Sequence, residues 1–219
     1  GYASPMTEDP LPPAAILAGG MAARLGSLAV DTPKALLEVA GKPFVLHQLE
    51  WLRRQGVREV VLCVGHLGEQ IERVVGDGSA LGLQVRLSYD GPALVGTGGA
   101  LQRALPLLGP RFLVLYGDSW LACDLGQVCR AYAASGTLGL MTVFRNDGQW
   151  DASNVQFEHG RIIRYDKQAR AADMRHIDYG LGVLSAQAFD RVADGARMDL
   201  ATIYQDLLGR GELAGLEVH

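Results

Sequence analysis

Apolar positions along this chain fall into two alternating rhythms. Short, nearly continuous apolar runs at residues 14–18, 57–64, 112–116 and 138–144 read as strands covered on both faces. Residues 83–89 alternate apolar and polar, as a strand does. Between these runs the apolar residues recur at helical spacing. Residues 44–55 carry Val45, Leu46, Leu49 and Leu52 and stop at Gly56, and 67–75 end in the turn Gly76-Asp77-Gly78. Residues 98–108 and 124–135 read as two further helices. Strand and helix thus alternate through about the first two-thirds of the chain. That order predicts an α/β fold: a doubly wound, mostly parallel, Rossmann-like mixed sheet.

The rhythm changes after Phe144. Residues 154–158 and 161–166 flank His159-Gly160 and predict a hairpin with a glycine-containing turn. A polar stretch at 167–176 leads to a short strand at 177–184, then to helices near 186–193 and 200–208. This second part reads as a small, β-rich, lid-like subregion over the carboxyl edge of the sheet. Residues 1–10 have neither a basic nor an apolar segment of a leader and read as a tag-like tail before a native start at Met6. Residues 11–219 are then expected to form one domain.

Composition narrows the classes. A hydrophobic fraction of 48%, a charged fraction of 20% and a net charge of −4 are those of an ordinary globular domain, and no run of Lys and Arg suggests a nucleic-acid surface. Glycine is high, 28 of 219 residues, and sits at strand ends and turns, which favours tight strand-to-helix connections. Cys63, Cys123 and Cys129 are odd in number and lack metal-site spacing, so they read as reduced thiols of a cytoplasmic protein. No apolar run reaches the ~18 residues of a membrane span. The histidines are scattered, which argues against zinc, and Ser119 lies in no G-x-S-x-G elbow.

Three segments map to strand carboxyl ends, where doubly wound sheets bind ligands. The first is Leu17-Ala18-Gly19-Gly20, continuing through Met21-Ala22-Ala23 to Arg24-Leu25 and then Thr32-Pro33-Lys34. Bare backbone N–H groups and two fixed cations suit a polyphosphate. It is neither a P-loop nor a dinucleotide fingerprint, and a tight turn with two surface cations is the plainer alternative. The second is Gly117-Asp118 after the run at 112–116, either a turn aspartate or a carboxylate placed for Mg²⁺. The third is Gly96-Thr97-Gly98-Gly99-Ala100, either an N-capped loop or one whose glycines let a base or ribose come close. Asp166-Lys167 ends the hairpin and could hold a sugar hydroxyl and a phosphate, or be a surface pair. Asn154 and Asp178 lie beside apolar strand runs, and Trp150 either walls a sugar or anchors its loop.

Taken together, Leu17–Leu25, Thr32-Pro33-Lys34-Ala35-Leu36, Gly41-Lys42-Pro43-Phe44, Gly96–Ala100 and Tyr116-Gly117-Asp118 resemble the sugar-1-phosphate nucleotidyltransferases. The likeness runs over most of the chain. It is greatest to short single-domain members such as the heptose-1-phosphate guanylyltransferases and N-acetylmuramate-1-phosphate uridylyltransferases. The resemblance implies that an NTP and a sugar 1-phosphate give an NDP-sugar and pyrophosphate with Mg²⁺. It implies nucleotide contacts from Leu17, Ala18, Gly19, Gly20, Thr97 and Gly98, and charge stabilisation by Arg24 and Lys34. It assigns the metal to Asp118 and the sugar phosphate to Lys167, with Gly117, Asn154, Asp166, Tyr179 and Gly180 around the sugar. The nucleotide half would be 11–145 and the sugar half 146–219, with the oligomeric state open.

Two departures qualify this. The family loop reads Gly-Gly-x-Gly-Thr-Arg-Leu, and here Ala22-Ala23 replace Gly-Thr. The family also supplies a second metal-binding group in a downstream aromatic-x-Asp-Ile-Gly-type segment. The sequence closes on Gly215-Leu216-Glu217-Val218-His219 where that segment is due, so a missing C-terminal continuation is expected. The alternative class is a non-catalytic nucleotide-sugar-binding regulatory homologue.

Overall fold

A computed structural model describes residues 10–20, 32–90, 95–146, 153–168 and 171–219. In chain order its elements are β1 (Ala14–Leu17), β2 (Glu38–Val39), β3 (Lys42–Pro43), α1 (Phe44–Gln55), β4 (Glu59–Val64), α2 (Gly68–Val75), β5 (Gln84–Tyr89), α3 (Gly96–Leu108), β6 (Arg111–Tyr116), α4 (Leu125–Ser135), β7 (Gly139–Arg145), β8 (Val155–Glu158), β9 (Arg161–Tyr165), β10 (His176–Ser185), α5 (Leu200–Gly209) and β11 (Leu213–Val218). The described strands build a sheet in the order β11-β7-β10-β6-β1-β4-β5, with β8 and β9 attached through β10, while β2 and β3 pair by themselves. β1 pairs in parallel with both β4 and β6, β4 with β5, and β7 with β11. Among the described residues, the antiparallel pairs of this sheet are those of β10 with β6, β7 and β8, and that of β8 with β9. The mostly parallel α/β fold expected from the sequence is the fold found.

The alternation of side chains along β1 shows how the layers arise. Ala14 and Ile16 face a core with Val45, Leu49 and Leu52 of α1, Ile71 of α2 and Leu125 and Val128 of α4. Ala15 and Leu17 face the opposite core with Leu101, Ala104 and Leu108 of α3 and Ile203 and Leu207 of α5. Helices therefore cover both faces, which is why the strands carry apolar runs rather than strict alternation. β1 also lies where the strand order reverses, between β4 and β6. That switch point opens a crevice at the carboxyl ends of the strands.

Helix limits follow local chemistry. Gly56, at φ 103°, turns α1 off and returns its N–H to Arg53 and Leu52 carbonyls. Asp124 caps α4 through hydrogen bonds from the N–H groups of Gly126 and Gln127. The hairpin turn places His159 at φ 53° and Gly160 at φ 75°, a pair that matches the twist of β8 and β9.

Three expectations change. The helix read near 186–193 is a single 3-10 turn, Ala186–Phe189, with Ser185 accepting from the Gln187 N–H. The apolar ending at Leu216–Val218 belongs to a longer strand, β11, paired with β7 from Leu213 to Val218. The second part of the chain is less a lid than expected. β10 is inserted between β6 and β7 within the main sheet and pairs with both through Gly182, Val183 and Leu184, its register on β7 shifting between Asp178 and Gly182.

Candidate active site

A cleft of about 310 Å³ opens where β1, β5 and β6 end. β1 runs into Ala18, Gly19 and Gly20, the last two exposed to solvent. The Lys34 N–H donates to the Gly20 carbonyl at 3.1 Å, which ties these two positions together. β6 runs into Gly117 and Asp118. The Gly117 N–H donates to the Leu17 carbonyl at 3.0 Å, and a Cβ on Gly117 would lie 2.3 Å from that same oxygen. Only glycine lets the turn after β6 lie this close to the turn after β1.

This contact brings Lys34 and Asp118 together. Lys34 Nζ donates to Asp118 Oδ2 at 2.8 Å, with side-chain exposures of 46% and 54%. A pair this wet adds little stability. Its importance is position: this cation and carboxylate meet in a cleft that Gly19 and Gly20 also line.

Asp90, at the end of β5, is a further lining residue that the motif reading passed over, although its place after a strand is a usable signal. Its Oδ1 is buried without a hydrogen-bond partner among the described residues, and burial pushes its carboxyl up, an effect Arg103 partly offsets. Cys63 also lines the cleft. Burial pushes its thiol up to about 12, which leaves it protonated and unreactive near neutral pH. Asp199, just before α5, faces the cleft from the α3 side.

The Gly96–Ala100 segment is organised differently from expectation. Thr97 lines the cleft, but it lies inside α3, and its Oγ1 accepts from the Leu200 N–H at 2.7 Å, serving the start of α5. A Cβ on Gly98 would come within 2.7 Å of Met198 Cγ, and one on Gly96 within 2.3 Å of the Met198 carbonyl oxygen. The glycines here admit the 198–199 backbone, which accounts for their presence without a base. Gly98 does not line the cleft.

The residues read as sugar-facing gather on the β10 side. Lys167 Nζ stands 5.2 Å from the centre of the Tyr116 ring, and Tyr116 lines the cleft. Asp178 accepts from the Gly180 N–H at 2.9 Å and lies 3.4 Å from the Tyr116 hydroxyl. Burial pushes its carboxyl up against the opposing pull of that N–H and of Lys167. Asn154 Oδ1 accepts from the Asp178 N–H at 3.2 Å, and the Asp166 N–H donates to the Asn154 carbonyl at 3.0 Å. Asp166 Oδ1 accepts from the Gln168 N–H at 2.8 Å. Tyr179 turns away to stack on Phe144 at 6.0 Å, with its hydroxyl accepting from the Ala122 N–H. Gly180, at φ 91°, leaves room for Ser119. Arg24, the Ala22-Ala23 pair and Trp150 lie outside the described residues.

Among the described residues no three His, Cys, Asp or Glu side chains gather as a metal cage. Asp118 nonetheless supplies a hard carboxylate oxygen on the cleft wall. That fits Mg²⁺, which commonly takes one or two protein carboxylates and fills its shell with phosphates and water.

A model of the MobA-like NTP transferase domain matches residues 14–193. The chain is 44% identical over 106 residues to the N-acetylmuramate alpha-1-phosphate uridylyltransferase of Neisseria meningitidis serogroup B, covering 48% of this chain and 46% of that protein. It is 36% identical over 115 residues to the D-glycero-alpha-D-manno-heptose 1-phosphate guanylyltransferase of Campylobacter jejuni, covering 52% and 51%. The chain thus spans about half the length of these curated relatives. In fold it is similar to a putative glucose-1-phosphate thymidylyltransferase from Bacillus anthracis, solved in complex with a sucrose, at a TM-score of 0.82 and 20% identity over 94% of this chain and 86% of that one.

Proposed function

Because the chain belongs to the MobA-like NTP transferase domain family, we propose that it transfers a nucleotidyl group from an NTP to a sugar 1-phosphate, releasing pyrophosphate. The observation that carries this reading is Lys34 facing Asp118 at 2.8 Å over the Gly19-Gly20 backbone, at the switch point of the sheet. A sugar phosphate oxygen attacks the α-phosphorus in line. The bond from the α-phosphorus to the bridging oxygen breaks, and the pyrophosphate leaves with that electron pair. The nucleophile needs no base, because a phosphate monoester is already largely ionised near neutral pH. The protein's task is therefore alignment and charge neutralisation.

In this reading the Gly19 and Gly20 backbone and the Arg24 and Lys34 side chains take the triphosphate. Lys34 leaves Asp118 when phosphate oxygens arrive, which frees the carboxylate for Mg²⁺. Bound there, Mg²⁺ would neutralise charge on the phosphates. Lys167, held over Tyr116, takes the sugar phosphate, and Asp166 and Asn154 take the sugar. Leu17, Ala18 and Thr97 flank the nucleoside, and Gly117, Tyr179 and Gly180 shape the wall between the two halves. No helix among the described residues is long and apolar enough to cross a membrane. The three cysteines are unpaired, in keeping with the reducing cytoplasm we infer as the site of action.

Pyrophosphate release with Mg²⁺, screened over GTP, UTP, CTP and dTTP against hexose, heptose and N-acetylmuramate 1-phosphates, tests the proposal. Release confined to an NTP–sugar phosphate combination is expected. Silence over the whole panel, with nucleotide binding intact by calorimetry, would replace it with the regulatory, non-catalytic reading.

A further inference from the structure

Gln48 lies on α1, outside the cleft and outside every motif read from the sequence, yet it is almost fully buried at 5% exposure. Both hydrogens of its side-chain amide have a target. Nε2 donates to the Tyr116 carbonyl at 3.1 Å and to the Ser119 carbonyl at 3.2 Å. Those two carbonyls bracket Gly117 and Asp118. The turn is also closed by its own hydrogen bond, from the Ser119 N–H to the Tyr116 carbonyl at 3.2 Å. One planar amide therefore clamps both ends of the turn that presents Asp118.

Helix α1 reaches the other half of the pair as well. The Phe44 N–H, at the start of α1, donates to the Leu37 carbonyl, and the Leu37 N–H donates to the Lys34 carbonyl. The helix is thus bonded through two short links to Lys34 and through Gln48 to the turn of Asp118. Farther along the same strand end, the Phe44 and His47 rings lie 5.8 and 5.4 Å from the Trp120 ring, so α1 holds residues 116–120 as a unit.

The Gln48 carbonyl oxygen has no partner among the described residues and is buried. A buried acceptor left unsatisfied weakens a fold. Stability alone would favour an apolar side chain at this depth beside Leu49 and Leu52. What glutamine provides is a rigid double donor aimed at two carbonyls.

We propose that Gln48 is a positioning residue, fixing the turn of Asp118 so that its carboxylate meets a divalent cation in register with Lys34. This rests on the reading of Asp118 as the metal carboxylate. It predicts that loss of the amide weakens metal retention and spares nucleotide contacts on the far side of the cleft. Groups that orient a metal ligand through hydrogen bonds commonly change metal affinity ten- to hundredfold, roughly, when removed.

The test uses Mn²⁺ as probe, counted as free ion by electron paramagnetic resonance during titration of the full chain with GTP or UTP present. Gln48→Met keeps the length of the side chain and cannot donate. Gln48→Glu keeps its shape and only accepts when ionised. Both are expected to weaken Mn²⁺ retention about tenfold or more, while affinity for the same nucleotide in EDTA changes less than about threefold. The metal concentration giving half-maximal rate should rise by the same factor, with kcat largely restored at high metal. Unchanged Mn²⁺ retention in either folded variant, whatever its melting temperature, would overturn the proposal and leave Gln48 a structural brace. Asp118→Ala separates the two readings. If that variant retains Mn²⁺ as the wild type does, the assignment of the metal to Asp118 fails and the role of Gln48 falls with it. If it loses Mn²⁺ while the Gln48 variants do not, only the positioning role fails.

Discussion

At the scale of single residues, the cleft sets charged groups in two environments. Lys34 and Asp118 are both solvent-exposed, which suits the proposed exchange of each other for phosphate and metal. Replacing either with Ala should lower kcat/KM for pyrophosphate release about 10²- to 10³-fold with little change in melting temperature, which paired kinetics and thermal melts would check. Asp178 is the opposite case. Burial raises its folded pKa, so the folded state holds the carboxyl proton more tightly than the unfolded chain does. Its contribution then turns unfavourable as pH rises from the ordinary carboxylate range through the raised folded value. Asp178→Asn should therefore melt higher than wild type at pH 7, and the gap should close as the pH falls toward 4; a gap that widens on acidification would contradict the sign. Lys34 and Asp118 were legible because each sits in a short motif, that of Asp118 directly after a strand. Asp178 stood out only as polar beside apolar residues. Gln48 was illegible, since a glutamine on the buried face of a helix carries no motif and its partners lie 68 and 71 residues away.

At the scale of elements, the glycines decide what approaches what. Gly117 admits the Leu17 carbonyl, and Gly117→Ala would force the turn after β6 away from β1. A displacement near 1 Å at Asp118 should cost roughly a hundredfold in rate, measurable as pyrophosphate release in a variant checked for folding by circular dichroism. The Gly96–Gly99 run admits the 198–199 backbone, and Thr97 completes that junction through the Leu200 N–H. Thr97→Val leaves a donor unpaired and should destabilise by about 1–3 kcal/mol, whereas Thr97→Ser should stay near wild type; denaturant titration of both would show it. The sequence marked this segment correctly as a helix start. It could not show that the close neighbour is the chain itself, because residues 96 and 198 meet only through the tertiary packing of α3 on α5. The same limit explains the short helix at 186–189 and the pairing of β11, which depend on neighbours supplied by β7 and on a turn capped by Ser185.

At the scale of the molecule, the alternating order of strands and helices was enough to set a mostly parallel sheet with the ligand segments at its carboxyl edge; that β1 and β6 are neighbours emerges only in the structure. The position of β10 was not readable, since an antiparallel strand entering a parallel sheet has the same apolar signature as any covered strand. Its insertion carries Asp178 and Gly180 up against Tyr116 and Ser119, so the residues proposed to face the sugar and those proposed to face the phosphates share one framework. In the proposed function this framework aligns a sugar phosphate with the α-phosphorus of an NTP. The most direct measurement follows radiolabel from [α-³²P]- and [γ-³²P]-labelled nucleotide, using the NTP and sugar 1-phosphate selected by the panel. Nucleotidyl transfer puts α-label in an NDP-sugar and γ-label in pyrophosphate. α-label that stays in free nucleotide, with γ-label on the sugar or in inorganic phosphate, would contradict it.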